Sequence, residues 1–241
     1  MEINKIKSQI KKIAKDFNLS YNSKWFNFIW ITKRDEIILQ YIGNCLDPVY
    51  KKYGNRIERI RNINKFFKND LKKLSKRYGG EVYSLESLKY QIKLLPLIKN
   101  KKIRAEISKL LRKINKEIGG NSTALITKTK NKNELKILLK SILRHEWIHI
   151  LLFHNSLEFG KINNKLWMYD EGLCTYLEAY IDKTTNQLEA KVKARKYPYE
   201  KKYFVYAIKF RELFKDGKTP KDKKMRINYF IKKLSIQSIR I

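Results

Sequence analysis

The chain has 241 residues, of which 43% are hydrophobic and 32% charged, and its formal net charge is +32 at pH 7, so it can bury one large or two small domain cores. No segment approaches the roughly 18 consecutive apolar residues of a membrane span, and the first residues, MEINKIKSQIKKIAKDF, lack the apolar region of a signal peptide. The two cysteines, Cys45 and Cys174, form no disulfide framework, so we expect a cytoplasmic protein without a transmembrane segment.

The first part of the chain has mostly helical patterns. Isoleucines and a phenylalanine at spacings of three and four predict an amphipathic helix over 3–17. The sequence WFNFIWIT (25–32) is aromatic and β-branched enough for a strand. Further helical patterns, separated by glycine and proline turn signals, occur at 35–44, 57–77, 86–95 and 103–118. We therefore expect a basic, helical N-terminal portion over residues 1–118.

A second group of elements follows Gly119-Gly120. The sequence NSTALITKT (121–129) is rich in β-branched residues and predicts a strand. Asn133 can then cap a long helix, ELKILLKSILRHEWIHILLFH, with Glu134 in its first turn. LWMYDEGLCTYLEAYI (166–181) predicts another apolar helix. The fold class predicted is α+β and predominantly helical, with a second portion over 119–241 unless the whole chain forms one domain.

Positive charge is distributed unevenly along the sequence. The net charge is +21 over residues 1–133 and +13 over 190–241, whereas 134–189 contains six Lys and Arg against eight Asp and Glu. The basic flanks could attract nucleic acid, an anionic membrane surface or acidic proteins. A solvated lysine coat that reflects codon composition would explain the same excess.

All three histidines lie within LRHEWIHILLFHN (143–155). On a helix, His145 and His149 are about 40° apart around the axis and one turn apart along it, so both imidazoles can bind one metal ion. Glu146 lies about 100° round from His145, where its carboxylate can reach a water on the metal. This H-E-x-x-H pattern is the zinc-hydrolase arrangement of two ligands and a general base.

Two other interpretations concern the same stretch. The histidines could be buried residues whose nitrogens bond backbone carbonyls, with Glu146 paired to a lysine. His154 lies about 180° from His145 on the helix and is expected to be a cation at the helix C-terminus, not a ligand.

A catalytic zinc ion needs a third protein ligand. Asp170 and Glu171 are costly on an otherwise apolar helix unless they are paired or bind a metal. Glu171 follows His149 by 22 residues, enough for a turn and an antiparallel return, and is predicted as the third ligand. Glu178, within about 20° of Glu171 on the helix, or Asp170 is predicted to orient a ligand histidine. The alternative for Glu178 is a surface carboxylate.

HEWIH followed by WMYDEGLCTYLE is similar to the gluzincin metallopeptidases, especially the aminopeptidase-N and leukotriene-hydrolase-like branch. The second helix of that branch reads W-x-x-N-E-G-x-x-x-Y-x-E, and the residues that match it are Trp167, Glu171, Gly172, Tyr176 and Glu178. Asp170 replaces the usual asparagine. The resemblance, over roughly 121–212, implies a zincin-like catalytic domain with a small sheet and an active-site helix. It also implies zinc ligation by His145, His149 and Glu171, and makes Glu146 the base and proton shuttle.

The resemblance also implies a tyrosine that hydrogen-bonds the tetrahedral oxyanion, in a stretch resembling P-Y-E-K-G. The sequence YPYEKKYFVYAIKF (197–210) makes Tyr199 the candidate. Because Lys202 stands where the glycine would be, Tyr203 and Tyr206 are alternatives. A plain stripe of core aromatic residues would give the same pattern.

The G-x-M-E-N strand that holds the substrate's amino terminus in aminopeptidases is absent, since the methionines are Met1, Met168 and Met225. In its place NSTALITKT could bind an extended peptide as an edge strand. We therefore predict a zinc metallopeptidase that acts on peptides or proteins. The sequence favours an endopeptidase, or a peptidase of undetermined end preference, over an aminopeptidase. Alternatives are a regulatory peptidase of the ImmA/IrrE group, a basic nucleic-acid-binding protein with a structural or inactive zincin core, and a different zinc hydrolase.

Overall fold

The structure, a computed structural model, describes residues 2–32, 34–36, 38–39, 80–98, 101–118, 122–127, 138–158, 166–196 and 198–239. The chain forms two compact units. Met1–Ser23 and Arg144–Ile241 form one, which we call the helical unit, and Lys24–Leu143 form the other, the sheet unit. The boundary predicted near residue 118 falls within the sheet unit.

Helices dominate the described residues and one small sheet accompanies them, as predicted for an α+β, predominantly helical fold. In chain order the elements are α1 (Glu2–Asp16), β1 (Phe28–Ile31), β2 (Gly80–Ser84), α2 (Leu85–Leu94), α3 (Lys101–Glu117), β3 (Ser122–Thr127), α4 (Arg144–His154), α5 (Trp167–Ile181), α6 (Leu188–Ala194), α7 (Pro198–Phe214) and α8 (Pro220–Ile239). Within these elements, no helix is long and apolar enough to cross a membrane.

The sheet has the strand order β1-β3-β2. β3 pairs in parallel with β1, with Ala124 opposite Phe28, and antiparallel with β2, with Ala124 opposite Val82. All six residues of β3 are buried. The prediction that this segment offers a free edge to a substrate is therefore wrong, because both of its sides pair with neighbouring strands.

The sheet unit has its own apolar core, formed by α2, α3 and the sheet. Apolar residues at helical spacing on α3 are buried against strand residues such as Ile29, Ile31 and Leu125. This confirms the helices predicted at 86–95 and 103–118 and the strands predicted at 25–32 and 121–129. The helix predicted at 57–77, most of that at 35–44, and the cap at Asn133 and Glu134 lie outside the described residues.

The helical unit begins with α1, which confirms the helix predicted over 3–17. Phe17 follows α1 directly and is buried, and its ring makes edge contacts with those of Tyr176, Tyr180 and Phe214. These contacts join α1 to α5 and α7. The Tyr180 hydroxyl also donates a hydrogen bond of 2.9 Å to Asp16 at the end of α1.

A π-helical turn, Leu138–Leu143, directly precedes α4 in the chain. The sequence predicts one continuous α-helix here, because the apolar pattern does not distinguish an α from a π turn. The structure instead begins the α-helix at Arg144, which is also the first residue of this part of the helical unit. Single π turns of this kind recur at functional sites.

Candidate metal centre

α4 is a buried helix that carries three polar side chains of the candidate site. Apolar residues occupy most of its circumference, and five of them are buried: Trp147, Ile148, Ile150, Leu151 and Leu152. A helix that is hydrophobic all round lies in the interior of a fold, and α4 packs against both α1 and α5. The side chains of His145, Glu146 and His149 therefore project from a helix that is held by packing on several sides.

The two histidines of α4 meet Glu171 of α5. The Nε2 atoms of His145 and His149 are 3.2 Å apart, and Glu171 lies 3.2 Å from His145 Nε2 and 3.5 Å from His149 Nε2. One ligand atom from each residue lies within 4.8 Å of both others. We call these three residues the metal triad.

The triad fits a zinc ion in both spacing and chemistry. Ligand atoms about 2.0–2.1 Å from a tetrahedral zinc ion are themselves about 3.3 Å apart. The two Nε2 atoms are 3.2 Å apart, and each has a Glu171 oxygen at a similar distance, Oε2 at 3.2 Å from His145 and Oε1 at 3.5 Å from His149. Two imidazole nitrogens and a carboxylate are a donor set that zinc accepts. The triad side chains are 19–23% exposed, which leaves access for water or substrate.

Opposite charges in the triad change the pKa values of its members. Burial is the largest influence on His145 and lowers its pKa, but the Glu178 charge and hydrogen bonds to Glu171 and Glu178 outweigh it, so the pKa is raised well above its usual value. Burial also raises the pKa of Glu171, but hydrogen bonds with His145 and His149 prevail and lower it strongly. Glu171 is thus an ionised carboxylate at neutral pH, the form that binds a cation.

Glu146 is a buried carboxyl group, 8% exposed. Burial raises its pKa, against the opposing effect of His145 and His149. No hydrogen bond or ion pair joins it to another described residue, so the alternative pairing with a lysine is not seen there. A carboxyl group with a raised pKa and no structural partner beside a donor cluster is suited to carrying a proton.

The two predicted orienting carboxylates differ in what the structure shows. Glu178 Oε2 lies 3.1 Å from His145 Nδ1, the ring nitrogen that faces away from His149 and Glu171. This contact is the one expected of a residue that orients a ligand histidine. Asp170 is half-buried next to Glu171 in the chain, and its predicted orienting role stays a prediction.

Two residues near the triad were not found from the sequence. Arg144, 5% exposed, donates two hydrogen bonds of 2.8 Å to the two carboxylate oxygens of Asp182, and its Nε lies 3.6 Å from Glu178 Oε1. The sequence did contain a signal for this contact, an arginine directly before His145 in an otherwise apolar helix. A buried guanidinium requires acidic partners, so such an arginine predicts carboxylates close to it. Its partners lie on α5 and just after it, 34 and 38 residues later.

The three tyrosine candidates all lie on α7. Tyr199 is in the first turn, and its side chain is outside the described part of the structure. Tyr203 packs edge-on against Trp167 at 6.2 Å between ring centroids, and Tyr206 packs against Tyr169 at 4.5 Å. The contacts of Tyr203 and Tyr206 are those of the aromatic-stripe alternative, and the oxyanion role of a tyrosine stays a prediction.

The structure explains why residue 172 is a glycine and shows where His154 lies. A Cβ atom added to Gly172 would overlap that of Tyr206 and lie 3.0 Å from the Tyr206 backbone carbon, so glycine lets α7 approach α5 closely. His154 is the last residue of α4 and packs edge-on against Phe153. It is not part of the metal triad, which is the single cluster of potential metal ligands found among the described residues.

Comparison of the chain with models of protein families, with characterised proteins and with solved structures gave no match. Any inference about function therefore depends on the residues and the geometry of the triad.

Proposed function

We propose that this protein is a zinc-dependent metallopeptidase of the gluzincin type that hydrolyses peptide bonds within proteins. The observation that carries the proposal is the triad, in which two histidines one helical turn apart meet a glutamate from the next helix at separations of 3.2–3.5 Å. In this proposal α4 is the active-site helix of a zincin-like fold, and the enzyme acts in the cytoplasm.

His145, His149 and Glu171 would hold the zinc ion. When bound, zinc supplies Lewis acidity to a water molecule and to the carbonyl of the scissile peptide bond. The ring nitrogens and the carboxylate face one another, so these three side chains would hold the ion between α4 and α5. Glu178 contacts His145 Nδ1, an arrangement that would keep Nε2 directed at a bound metal ion.

Glu146 is the proton carrier in this mechanism. Its carboxylate accepts a proton from the attacking water and donates it to the amine that leaves when the peptide bond breaks. Burial raises its pKa, which brings a carboxyl group nearer to the neutral range where a general base also serves as a general acid. Glu146 lies one residue after His145 and interacts electrostatically with His145, His149 and Glu171, so it would lie near a bound ion.

A tyrosine of α7 donates a hydrogen bond to the oxyanion in the proposal, with Tyr199 as the first candidate and Tyr203 and Tyr206 as alternatives. Such a donor stabilises the charge that develops in the transition state. Endopeptidase action is favoured because the sequence has no G-x-M-E-N motif to hold a free amino terminus. The basic flanks would favour acidic protein substrates or a nucleic-acid partner.

The experiment that tests this function compares wild-type protein, Glu146→Gln and Glu106→Gln, each loaded with zinc, on a library of denatured proteins. Glu146→Gln removes the proton carrier, so we expect zinc to be retained while the cleavage rate falls at least about 100-fold. Glu106→Gln makes the same chemical change in an ion pair with Arg34 in the sheet unit and should leave cleavage unchanged. Equal cleavage by wild-type protein and Glu146→Gln would refute the proposed mechanism.

A further inference from the structure

Arg144 is a buried cation directly before a predicted metal ligand. Its side chain is 6% exposed, and removing a guanidinium from water to this degree costs several kcal/mol unless acidic partners compensate. The helix around it is otherwise apolar. A lysine coat or a solvated surface charge therefore cannot account for this arginine.

Both acidic partners of Arg144 come from the end of α5. The two terminal nitrogens each donate a hydrogen bond of 2.8 Å to Asp182, a bidentate arrangement that fixes the plane of the guanidinium. Arg144 Nε then points towards Glu178, 3.6 Å from Oε1. This distance exceeds a hydrogen bond, and the buried Nε has no hydrogen-bond partner in the described part of the chain, so Glu178 is held by charge attraction.

Glu178 lies between Arg144 and the metal triad. One of its oxygens, Oε1, faces the guanidinium, and the other, Oε2, lies 3.1 Å from His145 Nδ1. The contacts therefore run without interruption from Asp182 through Arg144 and Glu178 to His145. They also connect α4 and α5, the two helices that supply the triad.

We propose that Arg144, fixed by Asp182, is a positioning residue for the metal centre. It holds the Glu178 carboxylate against His145 Nδ1, so that this nitrogen keeps its hydrogen and Nε2 is presented to the ion. Arg144 acts through Glu178 and touches neither the ion nor the substrate. This inference rests on the proposed function, since it assigns a role within the same metal centre.

The test measures zinc affinity by competition with a chromophoric chelator for wild-type protein, Arg144→Met, Glu178→Gln and the double variant. Loss of an orienting partner typically weakens metal binding 10- to 100-fold, and we expect Arg144→Met and Glu178→Gln each to weaken it by about that factor. Because Arg144 acts through Glu178, the double variant should bind zinc within about threefold of Glu178→Gln alone. Full additivity of the two effects would overturn the proposal.

Two further variants separate positioning from a general effect on folding. Arg211→Met is the control, because Arg211 also makes a bidentate contact, with Glu189, but among the described residues contacts no member of the triad. The zinc affinity of Arg211→Met should equal that of the wild type. Asp182→Asn leaves the guanidinium in place and changes a side chain that is 41% exposed, so it decides the question if Arg144→Met does not fold. Unchanged zinc affinity in Asp182→Asn and in any folded Arg144→Met would overturn the proposal.

A spectroscopic measurement supplies the readout that a merely structural role would not change. With three histidines in the chain, NMR of the zinc-loaded protein can assign the His145 ring. Its Nδ1–H proton should have the downfield shift of a hydrogen bond to the Glu178 carboxylate in wild type, and that shift should decrease in Asp182→Asn. Wild-type protein that binds no zinc would refute the proposed function and this role with it. Zinc-binding wild type with an unaffected His145 in Asp182→Asn would refute the role of Arg144 alone.

Discussion

His145 has a carboxylate at each of its ring nitrogens, Glu171 at Nε2 and Glu178 at Nδ1, 3.2 and 3.1 Å away. The two contacts have different consequences. Glu171 and His149 both contact Nε2, so they would be ligands of the same metal ion as His145. Among the described residues, Glu178 is the carboxylate that contacts Nδ1, so it favours a hydrogen on Nδ1 whenever Nε2 gives up its own to bind a metal.

At this scale, His149→Ala and His154→Ala make a matched pair, because each removes one imidazole from the same helix. We expect His149→Ala to weaken zinc binding at least 100-fold, since a triad ligand is lost, and His154→Ala to leave it unchanged, since that ring packs against Phe153. Isothermal titration calorimetry with zinc measures both. Equal losses in the two variants would show that the triad is assigned incorrectly.

At the scale of elements, α5 carries the site on one face and the structural contacts on another. Glu171 and Glu178 lie towards α4, whereas Gly172 and Tyr169 lie against Tyr206 of α7. Any shift of α5 relative to α4 would therefore displace Glu171 from the histidines. The packing of α7 against α5 thus contributes to the geometry of the triad.

Gly172→Ala tests this packing. The added methyl group would overlap Tyr206 at a point where the backbone of α7 is also close, so we expect a loss of about 1–3 kcal/mol in the free energy of unfolding. Gly217→Ala is the control, because its nearest neighbour at 3.3 Å is the flexible side chain of Lys223. Urea unfolding measures both, and equal effects would contradict the close approach of the two helices.

Asp16 joins α1 to α5 through the Tyr180 hydroxyl and also pairs with Lys12. Burial raises the pKa of Asp16, but hydrogen bonds from Lys12 and Tyr180 prevail and lower it. A lowered carboxyl pKa stabilises the fold above the unfolded-state value of about 3.9, and this contribution is lost as the pH falls through the folded-state pKa.

Asp16→Asn should therefore lower the free energy of unfolding by about 1 kcal/mol at pH 7. The difference from wild type should shrink as the pH falls below about 4, because the unfolded chain takes up a proton at Asp16 there and the folded protein does so at its lower pKa. Urea unfolding at a series of pH values measures it. A difference that stays constant down to pH 3 would rule out the ionised carboxylate as its cause.

Local patterns in the sequence predicted the elements that depend on them. The i, i+4 spacing of His145 and His149 fixes their shared face on any α-helix, and the apolar periodicity of α1 and α3 fixes their buried faces. β2 was missed because Gly79-Gly80 indicated a turn and the strand is short. The central position of β3, the Arg144–Asp182 pair and the fit of Gly172 to Tyr206 join residues distant in sequence, and no local pattern contains them.

At the scale of the whole molecule, the net charge of +32 is the dominant feature. The segment 134–189, which contains the whole triad, is slightly acidic, so the positive charge lies in the flanking segments. Electrostatic attraction of a substrate by these segments would act over distances comparable to the Debye length, about 10 Å at 0.1 M salt.

If the basic flanks select acidic proteins, KM for an acidic protein substrate should rise several-fold between 50 and 300 mM NaCl, roughly the range over which exposed charges are screened. KM for a neutral peptide substrate should change little over the same range. Steady-state cleavage assays at several salt concentrations measure both. A KM for the acidic substrate that does not change with salt would indicate that the basic flanks are a solvated lysine coat without a role in substrate binding.

The central claim is that the triad is a zinc site, and metal analysis of purified protein tests it most directly. We expect about one zinc ion per chain in wild-type protein reconstituted with zinc and freed of excess metal, and loss of that ion in Glu171→Ala, because two histidines alone hold zinc weakly. Inductively coupled plasma mass spectrometry gives both values. Wild-type protein without zinc, or Glu171→Ala that retains zinc as well as wild type does, would contradict the account.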